Sequence, residues 1–415
     1  MQSKPRDIVL AMGIADWVGR VMDACSQSGL MRSPFRSLLL LALSGFLLED
    51  QLAHAQKLEL PAQFDYADNF SEGLALIRIG ERSFYIDKSG KQVVTPKKYD
   101  TYYKFSDGLA RVTKDRKWGF IDRTGNLVIG LRFGNADDFS EGVASVSFDP
   151  PNLHNFFMGQ GKKGLINKAG KFVVNPHLNS ISSASDGYLV VNHGAPGDPT
   201  VGIISRSGET LIPPKFEFIT KVNEGLAAAL HPKGNWSFIS PRGEWMVQRR
   251  FDALGQLKDG LAVFGECKGE VFRPYDYKKP KDCRFGYVNR LGVTIIPAQF
   301  TTADLFSEER AAVSLSVPDR SAGDSAFLTD HSLRYGFIDR DGRLVIDPIY
   351  GEVRPFSGGV AAVSLPRKEG ELAKWGYIDK NGKPLTDFIY SIAGDVSEGL
   401  AAVWTQSGKW GYLRF

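Results

Sequence analysis

The chain has 415 residues, of which 43% are hydrophobic and 24% are charged, a balance typical of a globular protein rather than a disordered one. Its formal net charge is only +4 and no long basic run is present, so the composition excludes the electrostatic footprint of a nucleic-acid-binding protein. With 44 glycines and 27 phenylalanines, the sequence predicts many turns that join apolar strands.

The amino-terminal segment has the three parts of a secretory signal peptide. Arg32 and Arg36 precede an unbroken apolar run, Leu38 to Leu48, and an A-x-A sequence follows at 53–55. The run is 11 residues long, too short to cross a bilayer, which needs about 20 apolar residues. We therefore predict cleavage after Ala55 and a mature protein that is periplasmic or secreted by a bacterium.

A signal normally begins a chain, yet residues 1–30 precede this one. Because Met31 offers an ordinary basic start, we predict that residues 1–30 are an untranslated or disordered extension. Residues 31–55 are then the signal peptide, and residues 56–415 form one β domain. The alternative is an amphipathic helix over residues 1–30, which would make the apolar run an internal anchor.

A turn of the type F-S-E-G recurs throughout the mature chain and defines nine copies of one unit, from Leu58 to Phe415. Its glycine slot holds these residues: Gly73, Gly108, Gly142, Gly187, Gly225, Gly260, Glu309, Gly359 and Gly399. Each copy has three short apolar runs rich in Val, Ile and aromatic residues and bounded by Gly, Asp and Pro, a pattern that predicts strands. A D-x-x-G turn separates the second and third runs, and we expect proline to end the third.

Small and bulky residues also recur in phase. An alanine follows the glycine turn in most copies, as at Ala110 and Ala144, and it favours close approach of a bulky partner. The candidate partners are the tryptophans Trp118, Trp236, Trp375 and Trp410. A row of tryptophans can line a binding groove, but a bulky aromatic beside a glycine in a repeat is more typical of the core.

At these residues the chain resembles the WG-repeat family of bacterial proteins, also called KWG repeats. The resemblance rests on the segments Lys117–Asp122, Lys374–Asp379 and Lys409–Tyr412, each with an F-S-E-G-L-A type of turn before it. It implies β-rich repeat arrays that serve as binding or scaffolding modules. It implies no catalytic residues.

The predicted fold is all-β, a tandem array of about nine three-stranded meanders that is solenoid-like or spiralling. A closed, propeller-like ring is the alternative. The domain opens with sequence of the third-strand type, Leu60–Phe64, and ends with sequence of the second-strand type, Trp410–Phe415. That phase permits closure without requiring it.

Long insertions fall at one place in the repeat, between its first and second strands. They are Asp149–Gly161, His193–Thr200, Gly265–Arg284, Ser316–Arg334 and Pro366–Ala373. Because insertions at one position project from one side of an array, we predict that this side binds a partner. Loops that merely cover a strand edge are the alternative. The candidate contact residues are Phe156, Phe157, Phe272, Tyr275, Tyr277, Lys278, Lys279 and Lys281.

Cys267 and Cys283 bracket one of these insertions, and in an exported protein they predict a disulfide at the base of a hairpin. The histidines lack the spacing of a metal site, and no nucleophile elbow or phosphate-binding loop is present, so we predict no metal, no cofactor and no catalytic residue.

We expect a binding scaffold for a protein partner, with a cell-wall or polysaccharide-binding module as the alternative. A glycan hydrolase is the least favoured hypothesis. It would use paired carboxylates from the F-S-E-G turns. Those carboxylates are Glu72, Asp107, Glu141, Asp186, Glu224, Asp259, Glu308 and Glu398.

Overall fold

The domain is a ring of small antiparallel sheets. The computed structural model describes residues 58–94, 99–148, 161–194, 200–231, 234–268, 271, 283–315, 333–367 and 370–415. Within these ranges every regular element is a β-strand, and the strands form nine sheets, one for each repeat. All of them belong to one compact unit, Gln56–Phe415.

Each sheet is a meander of up to four strands, counted here from the axis of the ring outward. The first strands are β2 (Tyr66–Ala67), β6 (Thr101–Ser106), β10 (Asn135–Ala136), β14 (Ser180–Ile181), β20 (Ala253–Leu254), β24 (Thr302–Ala303), β28 (Glu352–Val353) and β31 (Ile392–Ala393). The second strands are β3 (Ala75–Ile79), β7 (Leu109–Lys114), β11 (Val143–Ser147), β15 (Tyr188–Asn192), β18 (Ala227–Leu230), β21 (Leu261–Cys267), β25 (Ala311–Ser314), β29 (Val360–Ser364) and β32 (Leu400–Trp404).

The third and fourth strands complete the sheets. The third strands are β4 (Arg82–Ile86), β8 (Lys117–Ile121), β12 (Lys163–Asn167), β16 (Val201–Ser205), β19 (Trp236–Ile239), β22 (Cys283–Asn289), β26 (Tyr335–Ile338), β30 (Trp375–Asp379) and β33 (Trp410–Arg414). The fourth strands are β5 (Gln92–Val94), β9 (Leu127–Phe133), β13 (Phe172–Leu178), β17 (Thr210–Phe216), β23 (Thr294–Phe300), β27 (Leu344–Tyr350) and β1 (Leu60–Phe64).

The predicted open, solenoid-like array is wrong, because the two ends of the domain share a sheet. β1 pairs with β33, with Leu60 opposite Tyr412 and Phe64 opposite Trp410. The first strand of the domain is therefore the outermost strand of the last sheet. Closure of this kind makes the fold a β-propeller, in which the terminal repeats cover each other instead of presenting free faces.

The predicted three-stranded unit is also wrong, since most sheets have four strands. The three apolar runs of each repeat form the second, third and fourth strands. The missed strand is the innermost one, which in most sheets is only two residues long and too short to show a period. Proline does not end the outer strand either: β23 continues through Pro297 to Phe300. A proline is tolerated there because the outer strand is an edge strand, whose outward N–H needs no ladder partner.

The glycine that follows the tryptophan position has a packing reason. A Cβ on Gly286 would lie 2.4 Å from the backbone oxygen of Ile296, in the fourth strand of its sheet. The pairing of the third and fourth strands shifts register at this point, and the backbone of the fourth strand comes close to Gly286. The sheet of β18 and β19 has Ser237 in this slot, and only isolated bridges join its third strand to the outer segment. The Ser237 hydroxyl lies 2.9 Å from the Val247 carbonyl and 3.0 Å from that of Arg249. In this sheet, hydrogen bonds from a serine hydroxyl therefore connect the third strand to the outer segment, where the other sheets have close backbone contact.

Neighbouring sheets share their cores through pairs of aromatic rings. Phe120 of one sheet meets Phe139 of the next with ring centroids 4.8 Å apart, and Tyr412 meets Phe70 at 5.1 Å across the closure. Ala144 belongs to the same cluster as Phe120 and Phe139. Trp118 packs against this cluster too, and Trp375 shares a cluster with Ala401 of the next sheet, so the alanines lie beside both the buried rings and the predicted tryptophans. Each ring pair contributes about 0.5–1.5 kcal/mol beyond the effect of its buried area.

Candidate functional site

One face of the ring carries the turns between first and second strands and those between third and fourth strands; we call it the turn face. Each F-S-E-G turn is a two-residue hairpin: Ser71 and Leu74 exchange N–H···O bonds of 2.8 and 3.1 Å. Glu72 and Gly73 between them both have positive φ, 55° and 78°. These are the features of a type I′ turn. The predicted turn glycines Gly108, Gly142, Gly225 and Gly399 have φ between 75° and 88°.

Most of these turns are hydrogen-bonded to the next one around the ring. The carboxylate of Glu72 accepts the Gly108 amide at 3.0 Å, and that of Glu398 accepts the Gly73 amide at 3.0 Å. Ser397 donates its hydroxyl to the carbonyl of Phe70 at 2.6 Å, as other turn serines do to the following sheet. The last repeat is therefore held to the first by the same contacts that join repeats elsewhere.

Cations from the D-x-x-G turns neutralise these carboxylates. Lys88 lies 2.9 Å from Glu398, and Lys380 lies 3.3 Å from Glu308. Partial burial alone would raise the pKa of Glu398, but hydrogen bonds from Lys88 and the Gly73 amide outweigh it and hold the pKa below its usual value of 4.5. Most of the carboxylates considered for glycan hydrolysis thus join neighbouring turns to one another.

The opposite face carries the connections between second and third strands, and we call it the insert face. All the long insertions fall here. The predicted contact residues Phe156, Phe157, Phe272, Tyr275, Tyr277, Lys278, Lys279 and Lys281 lie outside the described residues. Cys267 and Cys283 are the last opposed pair of the β21–β22 hairpin, and a disulfide joins them. The base of the longest described hairpin is therefore closed covalently at this face.

The two faces differ in their exposed apolar side chains. In the described turns of the turn face, large apolar side chains are exposed in the turn between β22 and β23, at Leu291 by 68% and at Val293 by 53%. At the insert face such side chains gather on four consecutive sheets, from the seventh through the closure to the first. They are Leu315, Leu365, Leu372, Ile392, Tyr66 and Ile79, which we call the apolar arc. Phe148 is exposed at the same level of the third sheet.

The tryptophans pack at the junctions between neighbouring sheets: Trp236 shares a core cluster with Phe264 of the next sheet, and Trp375 shares one with Ala401. Trp236 and Trp375 are buried, and Trp118 and Trp410 are half-buried. The ring of Trp118 lies 5.2 Å from that of Tyr103. None of these four rings is exposed, so they do not form an open row for a ligand.

A polar cavity of about 570 Å³ lies where three consecutive sheets meet near the axis. The residues that line it come from the second, third and fourth sheets, among them Lys104, Arg111, Asp137, Asp138, Ser145 and Lys163. Arg111 donates from Nε to Asp138 Oδ1 at 2.6 Å and from Nη1 to the Ala136 carbonyl at 2.7 Å. Lys163 donates to Asp137 Oδ2 at 2.9 Å. Ser145 is only 5% exposed, and among the described residues its hydroxyl has no hydrogen-bond partner.

The repeat itself marks this cavity. Arg111 and Ser145 occupy the third position of the segment after the glycine turn, which is apolar in the other copies: Leu76, Val190, Ala228, Val263, Ala312, Ala362 and Ala402. Lys163 replaces the tryptophan of its copy. Sequence reasoning missed these residues, although polar side chains in otherwise apolar columns were a signal that could have found them.

A profile of the WG containing repeat matches the chain nine times, over residues 55–82, 84–118, 118–149, 164–194, 202–231, 236–265, 285–316, 335–365 and 375–410. The chain belongs to the WG-repeat family. The resemblance stated from the three K-W-G segments is thereby confirmed, and the nine matches of this WG-repeat protein extend from residue 55 to residue 410. Among curated proteins, none matches its sequence.

Solved structures similar to this WG-repeat protein share little sequence with it. A crystal structure of the eukaryotic initiation factor is 11% identical, covers 80% of this chain and 88% of its own, and has a TM-score of 0.49. BamB from Moraxella catarrhalis is 9% identical, with 84% and 96% covered and a TM-score of 0.35. The C-terminal WD40 domain of Sif2 is 9% identical, with 87% and 98% covered and a TM-score of 0.39.

Two further features of the WG-repeat protein concern ions and membranes. Within the described ranges, no group of three or more His, Cys, Asp or Glu side chains is placed to hold a metal ion. Over the same ranges, no helix is both long enough and apolar enough to cross a bilayer.

Proposed function

We propose that the mature protein is an exported, non-enzymatic scaffold that binds a protein partner on its insert face. The observation that carries the proposal is the apolar arc. Leu372 is 78% exposed, Leu365 of the same sheet is 39% exposed, and the members of the arc on the neighbouring sheets are 42–44% exposed. Exposed apolar groups gathered on one side of a soluble protein are typical of protein contact sites.

The composition of the arc favours a protein partner. Trp404 and Trp410 meet edge to face at 5.5 Å on the last sheet, within the arc, and both are half-buried. Half-buried tryptophans beside exposed aliphatic side chains are suited to an apolar anchor of a partner, since aromatic residues dominate binding energy at protein interfaces. The charged groups of the turn face are mostly paired with one another already, so contact with a partner would add little binding energy there.

The test compares two exposed leucines on opposite faces. Leu365→Lys places a charge in the arc, and Leu291→Lys is the matched control on the turn face. We expect wild type and the Leu291→Lys variant to bind the same purified envelope protein, first identified by site-specific cross-linking from position 365. The Leu365→Lys variant should lose at least tenfold in affinity for that protein. Equal loss in both variants, or in neither, would refute the insert-face assignment.

Export is part of the proposal and rests on the signal pattern before residue 56. Amino-terminal sequencing of the protein from the periplasm or medium should yield Gln56. Recovery of residue 1 on a cytoplasmic species would contradict it.

A cell-wall or polysaccharide-binding module is the second candidate, and the polar cavity near the axis favours it. Co-sedimentation with insoluble peptidoglycan separates the two candidates. Sedimentation that persists in the Leu365→Lys variant would support a glycan site distinct from the apolar arc.

A further inference from the structure

The polar cavity between the second, third and fourth sheets has the properties of a built site. Its volume of about 570 Å³ lies within the range of about 300–1,000 Å³ that small-molecule sites occupy. Three polar residues line it at positions that are apolar or aromatic in the other repeats, apart from Ser83 in the column of Lys163. A repeat protein gains nothing in its core from such replacements, because each exchanges an apolar contact for a polar group that must be satisfied.

Ser145 is the clearest sign of an occupant. Ser145 is one of the residues that line the cavity, it is 5% exposed, and its hydroxyl has no partner among the described residues. A buried hydroxyl without a hydrogen bond is unfavourable. Alanine stands at this position in four other copies, for example at Ala402, so the fold does not need a hydroxyl here. A ligand that exchanges a hydrogen bond with Ser145 would account for it.

The charges in the cavity narrow the chemistry of the ligand. Arg111 is paired with Asp138 and Lys163 with Asp137, so these four groups are neutral in sum. Lys104, the fifth charged residue of the lining, interacts electrostatically with the carboxylate of Asp68. An anionic ligand would have to displace a carboxylate, and a cationic one a guanidinium or an ammonium group. The pairs instead present donors and acceptors side by side, which suits hydroxyl groups, because each hydroxyl both donates and accepts.

The remaining wall is apolar. Phe139, Val143 and Leu189 line the cavity beside the polar groups. A ligand must therefore combine hydroxyl groups with an apolar surface of its own, as a pyranose ring does through its C–H faces. We propose that this cavity binds a small neutral saccharide. The proposal deepens the second candidate function, and it does not depend on the apolar arc.

Calorimetric titration of the mature protein tests the proposal, with maltose, cellobiose and N,N′-diacetylchitobiose as neutral probes and inorganic phosphate and citrate as anionic ones. We expect one neutral saccharide to bind in a 1:1 ratio, with an affinity that changes less than about twofold between low and high salt, because no net charge is neutralised. Phosphate and citrate should not bind at the same concentrations.

Two cavity variants and one control assign the site. Ser145→Ala should weaken binding by about two- to tenfold, as the loss of one hydrogen bond does. Its melting temperature should be unchanged or higher, because alanine is the residue of the other repeats. Asp138→Asn should weaken binding by about tenfold or more, since a charged partner is lost. Leu365→Lys should leave saccharide affinity unchanged, which separates this site from the insert face.

Three outcomes would overturn the proposal. The first is that none of the neutral saccharides binds. The second is that Ser145→Ala and Asp138→Asn bind as wild type does. The third is that only phosphate or citrate binds and that its affinity falls steeply with salt, which would make the cavity an anion site.

Discussion

The two faces of the ring differ in the chemistry of their side chains. On the turn face, carboxylates such as Glu72 and Glu398 are bonded to the amide of the next turn. Cations such as Lys88 stand beside them. The insert face has variable connections, a disulfide and exposed apolar side chains. Charge that recurs in most copies is thus used to join the sheets, and the positions where the copies differ are free to bind.

This difference teaches where to search for function in a repeat protein. A column of acidic residues looks like a catalytic feature when it is read along one copy. In the ring, most of these residues accept a hydrogen bond from a backbone amide of the neighbouring turn instead. By contrast, single departures such as Ser145 and Lys163 break a column and line a common cavity. The four predictions that follow test how far the two faces are independent.

The largest effect should come from the disulfide of the insert face. Cysteines 267 and 283 are 16 residues apart, and closing a loop of about 15 residues is worth about 3 kcal/mol in the chain-entropy model. We expect the double variant Cys267→Ser/Cys283→Ser to lose up to about 3 kcal/mol, mostly as local opening of the β21–β22 hairpin. Hydrogen exchange of that hairpin, with wild type in reductant as the control, measures it. Equal protection with and without the bond would contradict the prediction.

The ring closure on the turn face should be weaker but sensitive to acid. The pKa of Glu398 lies below its usual value of 4.5, so its stabilising contribution is fully present above about pH 4.5 and is lost as the pH falls through the lowered value. Glu398→Gln should therefore cost about 1 kcal/mol at neutral pH, in the range of charge-assisted bonds near the surface. Denaturant unfolding at several pH values should show the variant and wild type converging in acid. A constant difference would exclude this carboxylate as the cause.

One turn should gain stability from a substitution. Glu309 has φ of 67° in the slot where the other eight copies have glycine. A left-handed conformation costs an L-residue about 1–2 kcal/mol, and glycine avoids this strain. Glycine also raises the conformational entropy of the unfolded chain, which offsets part of the gain in stability. Glu309→Gly should stabilise the protein by about 0.5–1 kcal/mol in thermal unfolding. Glu308→Gly is the contrasting variant: it should destabilise, because Glu308 accepts the Gly358 and Gly359 amides at 2.7 and 2.8 Å.

The sequence was sufficient to predict strands, turns and nine units, because each follows from local chemistry repeated in phase. It did not decide between open and closed arrays. That choice depends on the pairing of Leu60 with Tyr412, at opposite ends of the domain, and strand phase permits either outcome. The innermost strands were missed since two residues show no periodicity, and the cavity was missed because its residues converge from three repeats.

The smallest effect on stability should come from the apolar arc, although its effect on binding should be the largest. Leu365 is 39% exposed, so Leu365→Lys should change the free energy of unfolding by no more than about 0.5 kcal/mol, as surface substitutions usually do. Leu291→Lys, at 68% exposure on the turn face, should behave alike in unfolding. If Leu365→Lys costs well over about 1 kcal/mol while Leu291→Lys does not, Leu365 belongs to the core that stabilises the ring. The insert face would then stabilise the fold as the turn face does. The proposal that one face stabilises the ring and the other binds a partner would be contradicted.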